Sequence, residues 1–320
     1  MLRSTFIYLS KADWARNIVM NWDFARRTAS RFVAGETLEE AIGVVGILNQ
    51  NGINATLDHL GEHTNSLEAA DKATQAIFDI ADAIHQSGVR ANISIKLTQI
   101  GLAIDQEACA ENLRQILSHA KGYGIFVRVD MEDSIWTEAT LALFRQMRDE
   151  YQLTNSGVVI QAYLYRSEED VKKLAQESVP VRLCKGAYKE PAEVAFPKKK
   201  DVDTNYDLLA AILIHGAVSC GKPQLSDDGC IPPLPAIASH DPERLDYARN
   251  YAEKAGLPKI AIEFQMLYGI RRDLQEQMVN EGYPVRVYVP YGTEWYPYFV
   301  RRLAERPANL WFFISNYFRR

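Results

Sequence analysis

Eight short apolar runs, each followed by a segment of helical periodicity, recur along this chain, and they constrain its fold more than any single motif. The runs are Asn54–Asp58, Ala91–Leu97, Ile125–Asp130, Gly157–Ala162, Val181–Lys185, Ala236–His240, Ile260–Gln265 and Val285–Val289. Helical patterns fill the intervals at 67–86, 105–120, 136–150, 167–176, 204–219, 242–254, 271–280 and 294–305. Strands alternating with helices of this length call for a parallel sheet, because a parallel neighbour is reached only through a long crossover. Repeated over roughly 250 residues, the unit fits a closed α/β TIM-type (β/α)8 barrel better than a doubly wound sheet. No GxGxxG follows any run, which leaves a Rossmann dinucleotide site unsupported. Ahead of the barrel, 12–25 and 37–51 read as helices, the second opened by Thr37 with Glu40 three residues on, a capping box. The expected division is an N-terminal helical segment at 1–52 and a barrel at 53–320.

Bulk properties exclude several function classes. A formal net charge of −5 and a pI near 5.8 argue against nucleic acid as a partner, which needs a basic face. Cys109, Cys184, Cys220 and Cys230 stand far apart without a CxxC pair. That spacing suits neither a zinc site nor a disulfide framework and suggests a reducing compartment. The first residues, MLRSTFIYLSKADWARN, hold too short an apolar run for a secretory leader. No window approaches the roughly 18 apolar residues of a membrane span. A soluble, cytoplasmic protein is expected. The aromatic tail from Asn309 to Phe318, ending in Arg319-Arg320, reads either as a segment packed on the body or as a surface for a membrane or protein partner.

Barrel chemistry sits at the C-terminal ends of the strands. The polar residues expected there are Glu62, Lys96, Asp130, Gln161, Arg182, Lys185, His240, Gln265 and Tyr288. A lysine closing Ile-Ser-Ile-Lys must be paired if buried, since an isolated buried charge is very costly, and Asp130 is the partner in reach. That pair is either a structural ion pair or a proton donor and charge set against a substrate. In the last helix Tyr298, Arg301, Arg302 and Glu305 fall at three- and four-residue spacings and share faces. Two adjacent arginines form either a solvated face or a carboxylate clamp, because the guanidinium fork matches a carboxylate bidentately. Gly186 lets a ligand plane approach the chain closely. His240 suits either a satisfied core position or a hydrogen bond to a large polar cofactor.

Taken together, SIKLTQIG at 94–101, VRVDMED at 127–133, VVIQAYL at 158–164, VRLCKGAYKEP at 181–191, IASHD at 237–241, EFQMLYGIR at 263–271 and VRVYVPYGTEWYPYFVRRLAERPAN at 285–309 resemble the proline dehydrogenase family. Its short, monofunctional bacterial members are the nearest in kind. The resemblance implies FAD in the barrel and L-proline between the flavin and the last helix. It implies Arg301 and Arg302 on the substrate carboxylate, with Tyr288, Tyr298, Leu267 and Ala187 around the ring. Lys96 with Asp130 would sit against substrate and flavin, and Arg182 near the flavin's reactive nitrogen. Cofactor contacts would come from Asp130, Gln161, Arg182, Cys184, Lys185, Gly186, Ala187, Ser239, His240, Gln265, Arg302 and Glu305. Glu62, in the short motif LGE, would pair with Arg301 as a gate. Cys184 stands where the family usually has valine, and Ser-His-Asp at 239–241 replaces Thr-His-Asn.

The implied reaction oxidises L-proline to 1-pyrroline-5-carboxylate by hydride transfer to FAD, the first step of proline catabolism. Electrons would pass to a membrane quinone, with peripheral contact at the inner face of the membrane and 1-pyrroline-5-carboxylate dehydrogenase as a downstream partner. The bulk and hydroxyl of Tyr288 should favour proline over its 4-hydroxy derivative. Two rivals are a class I aldolase-like lyase using Lys96 or Lys185 as a Schiff base, and a non-catalytic barrel that senses proline or flavin.

Overall fold

The alternation closes on itself. A computed structural model describes residues 29–61 and 64–305, without the side chains of Arg301 and residues 303–305. Glu62, the helix expected at 12–25, the aromatic tail, and the side chains of Arg301 and Glu305 therefore lie outside the described residues. The strands are β1 Asn54–His59, β2 Ala91–Ile95, β3 Val127–Val129, β4 Ser156–Gln161, β5 Val181–Cys184, β6 Pro235–Ala238, β7 Glu263–Leu267 and β8 Val285–Tyr291. They pair in parallel and in chain order, and β8 returns to β1 through six registered positions from Asn54↔Arg286 to His59↔Tyr291. The helices between them are α2 Leu67–Ser87, α3 Gln106–Gly122, α4 Thr137–Asp149, α5 Ser167–Gln176, α6 Lys199–Ser219, α7 Pro242–Lys254 and α8 Arg272–Asn280. Helix α1, Leu38–Gln50, precedes β1, and α9, Trp295–Glu305, follows β8.

Local chemistry sets these boundaries. Thr37 and Glu40 form the expected capping box, with Glu40 N–H donating to Thr37 Oγ1 at 3.3 Å and Thr37 N–H to Glu40 Oε2 at 3.1 Å. Helix α6 starts at Lys199 and not at 204, because Lys199 pairs with Asp203 one turn on and Asp201 sits at the positive helix start. Strand β7 starts at Glu263 and not at 260, because Pro258 leads into a single 3-10 turn, Lys259–Ala261.

Aliphatic residues pack between strands and helices, but the barrel interior is polar where such barrels are commonly filled by branched aliphatics. Arg128, Glu263 and Arg286 are all under 2% exposed. Arg286 grips Glu263 through Nε at 2.9 Å and Nη2 at 3.0 Å, and donates to the Ala55 and Gly229 carbonyls at 2.8 and 2.7 Å. This buried charge is therefore neutralised and hydrogen-bonded, as burial requires. Arg128 crosses the wall beside Gly157 and donates to the Pro180 carbonyl at 2.5 Å.

At the opposite end of the barrel, α9 is held down by apolar contact. Trp295, Tyr296, Phe299 and Val300 pack with Ala29, Phe32, Val33, Leu60 and Ile270. Ala34 N–H donates to the Pro290 carbonyl and Gly292 N–H to that of Gly35, at 2.9 and 3.0 Å. Residues just ahead of α1 thus fix the last helix over the strand ends. Among the described residues, no helix is long and apolar enough to cross a membrane.

Gly157 has no room for a side chain: a Cβ there would stand 2.2 Å from the Pro180 carbonyl and 2.7 Å from Arg128 Nη1. Gly157→Ala should lower unfolding stability by about 2–3 kcal/mol, the cost of overpacking a closed core. Urea denaturation measures this, and an unchanged midpoint would contradict the packing described.

Candidate active site

The C-terminal ends of the strands surround a cavity of about 670 Å³, a size suited to a small molecule or cofactor. Parallel register delivers each polar side chain there, since alternate residues of a strand face inward.

At its base, donors from several strands converge on Asp130, which follows β3. Ser94 Oγ and Arg182 Nη1 donate to Oδ1 at 2.7 and 2.9 Å, and Tyr288 hydroxyl donates to Oδ2 at 2.9 Å. Lys96 Nζ stands 3.5 Å from Oδ2. The same ammonium lies 2.9 Å from Asp58 Oδ1 and 3.2 Å from the Tyr288 hydroxyl. Burial alone would push Asp130 up, but Lys96 and Arg182, with hydrogen bonds from Ser94 and Tyr288, hold it below its ordinary value. Burial wins at Asp58 and raises it, against the pull of Lys96. Burial, with Asp130 and Asp58 nearby, raises the Tyr288 phenol well above its usual range, so the hydroxyl keeps the proton it donates.

Arg182 is locked from three further directions. Its Nε donates to Gln265 Oε1 at 2.6 Å, Nη1 meets Ser94 at 3.1 Å, and its carbon centre lies 5.3 Å from the Tyr288 ring. Gln265 Nε2 passes the chain on to Glu263 at 2.5 Å. On the β5–β6 side Lys185 is paired with Asp203 and, at 2.8 Å, with Asp241. The Cys184 thiol is pushed up to about 12, chiefly by burial, and stays protonated. His240 Nε2 accepts the Leu267 N–H at 2.9 Å, which makes that nitrogen the unprotonated one. Ser239 Oγ accepts the Asp241 N–H at 3.1 Å. Gln161 donates to the Met131 and Glu132 carbonyls, both at 2.9 Å, and its buried Oε1 has no partner among the described residues. From above, α9 brings down Tyr298 and Arg302, 6% and 8% exposed, with the guanidinium 5.0 Å from the phenol ring.

The cavity wall unites Lys96, Asp130, Arg182, Cys184, Lys185, Gly186, Ala187, Ser239, His240, Gln265, Leu267, Tyr288, Tyr298 and Arg302 from the sequence-based set. Gln161 lies behind it, with no place on the wall. Sequence reasoning missed Asp58, which among the described residues is the closest carboxylate to Lys96. Its signal was present, since Asp58 closes the first apolar run as Asp130 closes the third. Asp203, which neutralises Lys185 from within α6, left no signal, because nothing in a helix sequence reports which strand end it faces. Arg271, at the cavity rim in a left-handed conformation with φ 52°, was also missed.

A family model described as proline dehydrogenase matches residues 42–314. Proline dehydrogenase 1 of Bacillus subtilis (strain 168) is 39% identical over 317 residues, covering 99% of each chain. Proline dehydrogenase of Deinococcus radiodurans is 40% identical over 291 residues, 90% of this chain and 89% of its own. Among solved structures, proline utilization A (PutA) from Bdellovibrio bacteriovorus, inactivated by N-propargylglycine, matches with a TM-score of 0.79 at 30% identity. That match covers 88% of this chain and 33% of the other, so this chain spans about a third of its length.

The two carboxylates flanking Lys96 should respond differently to neutralisation. Asp130→Asn leaves Arg182 and Lys96 buried with one counter-charge fewer and should cost about 3 kcal/mol of stability at neutral pH. Asp58→Asn, which removes a charge that burial already disfavours, should cost less than about 1 kcal/mol. A lowered carboxylate stabilises above its unfolded value, 3.8 for Asp130, and loses that contribution as pH falls through the folded one. The Asp130→Asn deficit should therefore fade on acidification. Equal deficits for the two variants in denaturant titrations, or a pH-independent one for Asp130→Asn, would contradict this electrostatic reading.

Proposed function

The chain belongs to the proline dehydrogenase family, and from that premise we propose that its barrel cavity oxidises L-proline to 1-pyrroline-5-carboxylate with FAD as hydride acceptor. The observation that carries this reading is Arg302: a buried guanidinium backed by Tyr298, lining the same cavity as the Lys96–Asp130–Tyr288 cluster. One wall offers a carboxylate clamp and the other a set of fixed polar groups.

The residues fit a large flat cofactor with polar edges. Gly186 presents bare backbone, and Arg182, Lys185 and His240 line the surrounding cavity. When bound, FAD supplies the two-electron sink that no side chain here can offer. Arg302, joined by Arg301, binds the substrate carboxylate through charge-assisted hydrogen bonds. Tyr288, Tyr298 and Leu267 enclose the apolar ring. Lys96 and Asp130 fix the polar edge, and Arg182 holds positive charge beside the reacting region. Holding the substrate at both ends converts binding into near-attack positioning. Glu305 completes the cofactor contacts, and Glu62 gates the mouth with Arg301.

In this reading residues 53–320 form the barrel unit, behind a helical segment at 1–52. The enzyme is cytoplasmic and touches the inner face of the membrane, where a quinone takes its electrons. Its product passes to 1-pyrroline-5-carboxylate dehydrogenase. The lyase alternative needs a lysine whose nitrogen is unpaired and aimed at a carbonyl. Lys96 lies between two carboxylates and Lys185 is paired with Asp203 and Asp241, so neither arrangement favours it.

Arg302→Met should raise KM for L-proline by about tenfold or more, since a charge-assisted contact is lost from the substrate complex. An unchanged KM in steady-state assays would contradict the clamp.

A further inference from the structure

Asp58 plays no part in the reading above, yet among the described residues it is the carboxylate nearest Lys96. It is 1% exposed and lines the cavity; Oδ1 takes Lys96 at 2.9 Å, while Oδ2 is buried with no hydrogen-bond partner among the described residues. Asp130, 3.5 Å away on the other side of the same ammonium, has both oxygens filled by Ser94, Arg182 and Tyr288. Among the described residues no donor lies within hydrogen-bond distance of Asp58 Oδ2, although the Tyr288 hydroxyl acts on this carboxylate as well.

Oxidation at a C–N bond needs the nitrogen lone pair. An alkyl amine at neutral pH carries a proton there instead, as the lysine side chain does up to about pH 10. We propose, resting on the reading that this cavity binds L-proline, that Asp58 is a positioning residue that accepts, by way of Lys96, the proton the substrate's ring nitrogen sheds before oxidation. Lys96 passes a proton along its hydrogen bond to Asp58, and the neutral Nζ then takes one from the ring ammonium. In sum, one N–H bond of the substrate breaks and one O–H bond forms on Asp58. Lys96 ends as it began, and no electrons change hands. The substrate's positive charge and the buried negative charge disappear together, which a low-dielectric site favours.

The surroundings divide the work between the carboxylates. Burial holds Asp58 above the ordinary range, while Lys96 and Arg182 keep Asp130 below it. Neighbouring acids pushed apart in this way commonly take different proton-transfer roles. The groups acting on Asp58 are Lys96, Asp130 and Tyr288. Burial, and after it Asp58, raises Tyr291, on which Asp79 of α2 and Glu39 of α1 also act.

The test is oxygen-free rapid-mixing reduction of the holoenzyme by L-proline across pH, for wild type and Asp58→Asn. The wild-type rate should rise with pH to a plateau. Near neutral pH the variant should be about a hundredfold slower, the scale of a lost proton acceptor. Above pH ~10, where the substrate arrives largely deprotonated, it should come within about threefold of wild type. Asp58→Glu, which restores a carboxyl at a new distance from Lys96, should regain most of the neutral-pH rate with its pH limb displaced. A deficit of one size at every pH, or overlaid profiles, overturns the inference and leaves proline oxidation standing. A wild type that proline does not reduce overturns both. If Asp58→Asn does not fold, Asp58→Glu decides: a displaced limb supports the inference and an unmoved one overturns it.

Discussion

The carboxylate of Asp130 is the point on which the site depends. Ser94 of β2, Arg182 of β5 and Tyr288 of β8 all donate to it, and Lys96 stands beside it. A charge so buried persists only while its donors stay in place. The same carboxylate therefore aims an arginine, a phenol and an ammonium that would otherwise move through several rotamers. Because these side chains come from separate strands, the closed barrel must form before the cluster can, and no smaller piece of the chain assembles it.

Below this cluster the polarity continues through Gln265 to Glu263 and Arg286, so ion pairs replace aliphatic layers along the axis. Such pairs add little net stability compared with apolar packing, but they are costly to break singly. Stability comes chiefly from the aliphatic shell between strands and helices. The axis instead supplies a fixed electrostatic field beneath the cavity, with no reorganisation needed when charge changes above it. Helix α9 closes the other side. Its amphipathic sequence buries Trp295, Phe299 and Val300 against Phe32 and Ile270 and leaves Tyr298 and Arg302 on the cavity.

Most of the fold was legible in the sequence because its signal is repeated. A misread strand such as β7, displaced by the turn after Pro258, does not disturb a pattern carried by seven others. The Lys96–Asp130 association was legible too, since a lysine ending an apolar strand must find an anion. The preference of that lysine for Asp58 was not, because the strands on both sides of β2 bring an aspartate to its end and only the packed side chains set the distances. The role of residues 29–35 under α9 left no trace either. Contacts between chain ends depend on the route of the whole chain, and local periodicity does not record it.

The central claim is that this cavity joins L-proline to a flavin, and a visible absorption spectrum tests it most directly. The purified protein would be recorded without oxygen before and after addition of L-proline. The account predicts a flavin spectrum that bleaches on addition. A flavin that stays oxidised, or a protein that takes up no FAD on reconstitution, would contradict it.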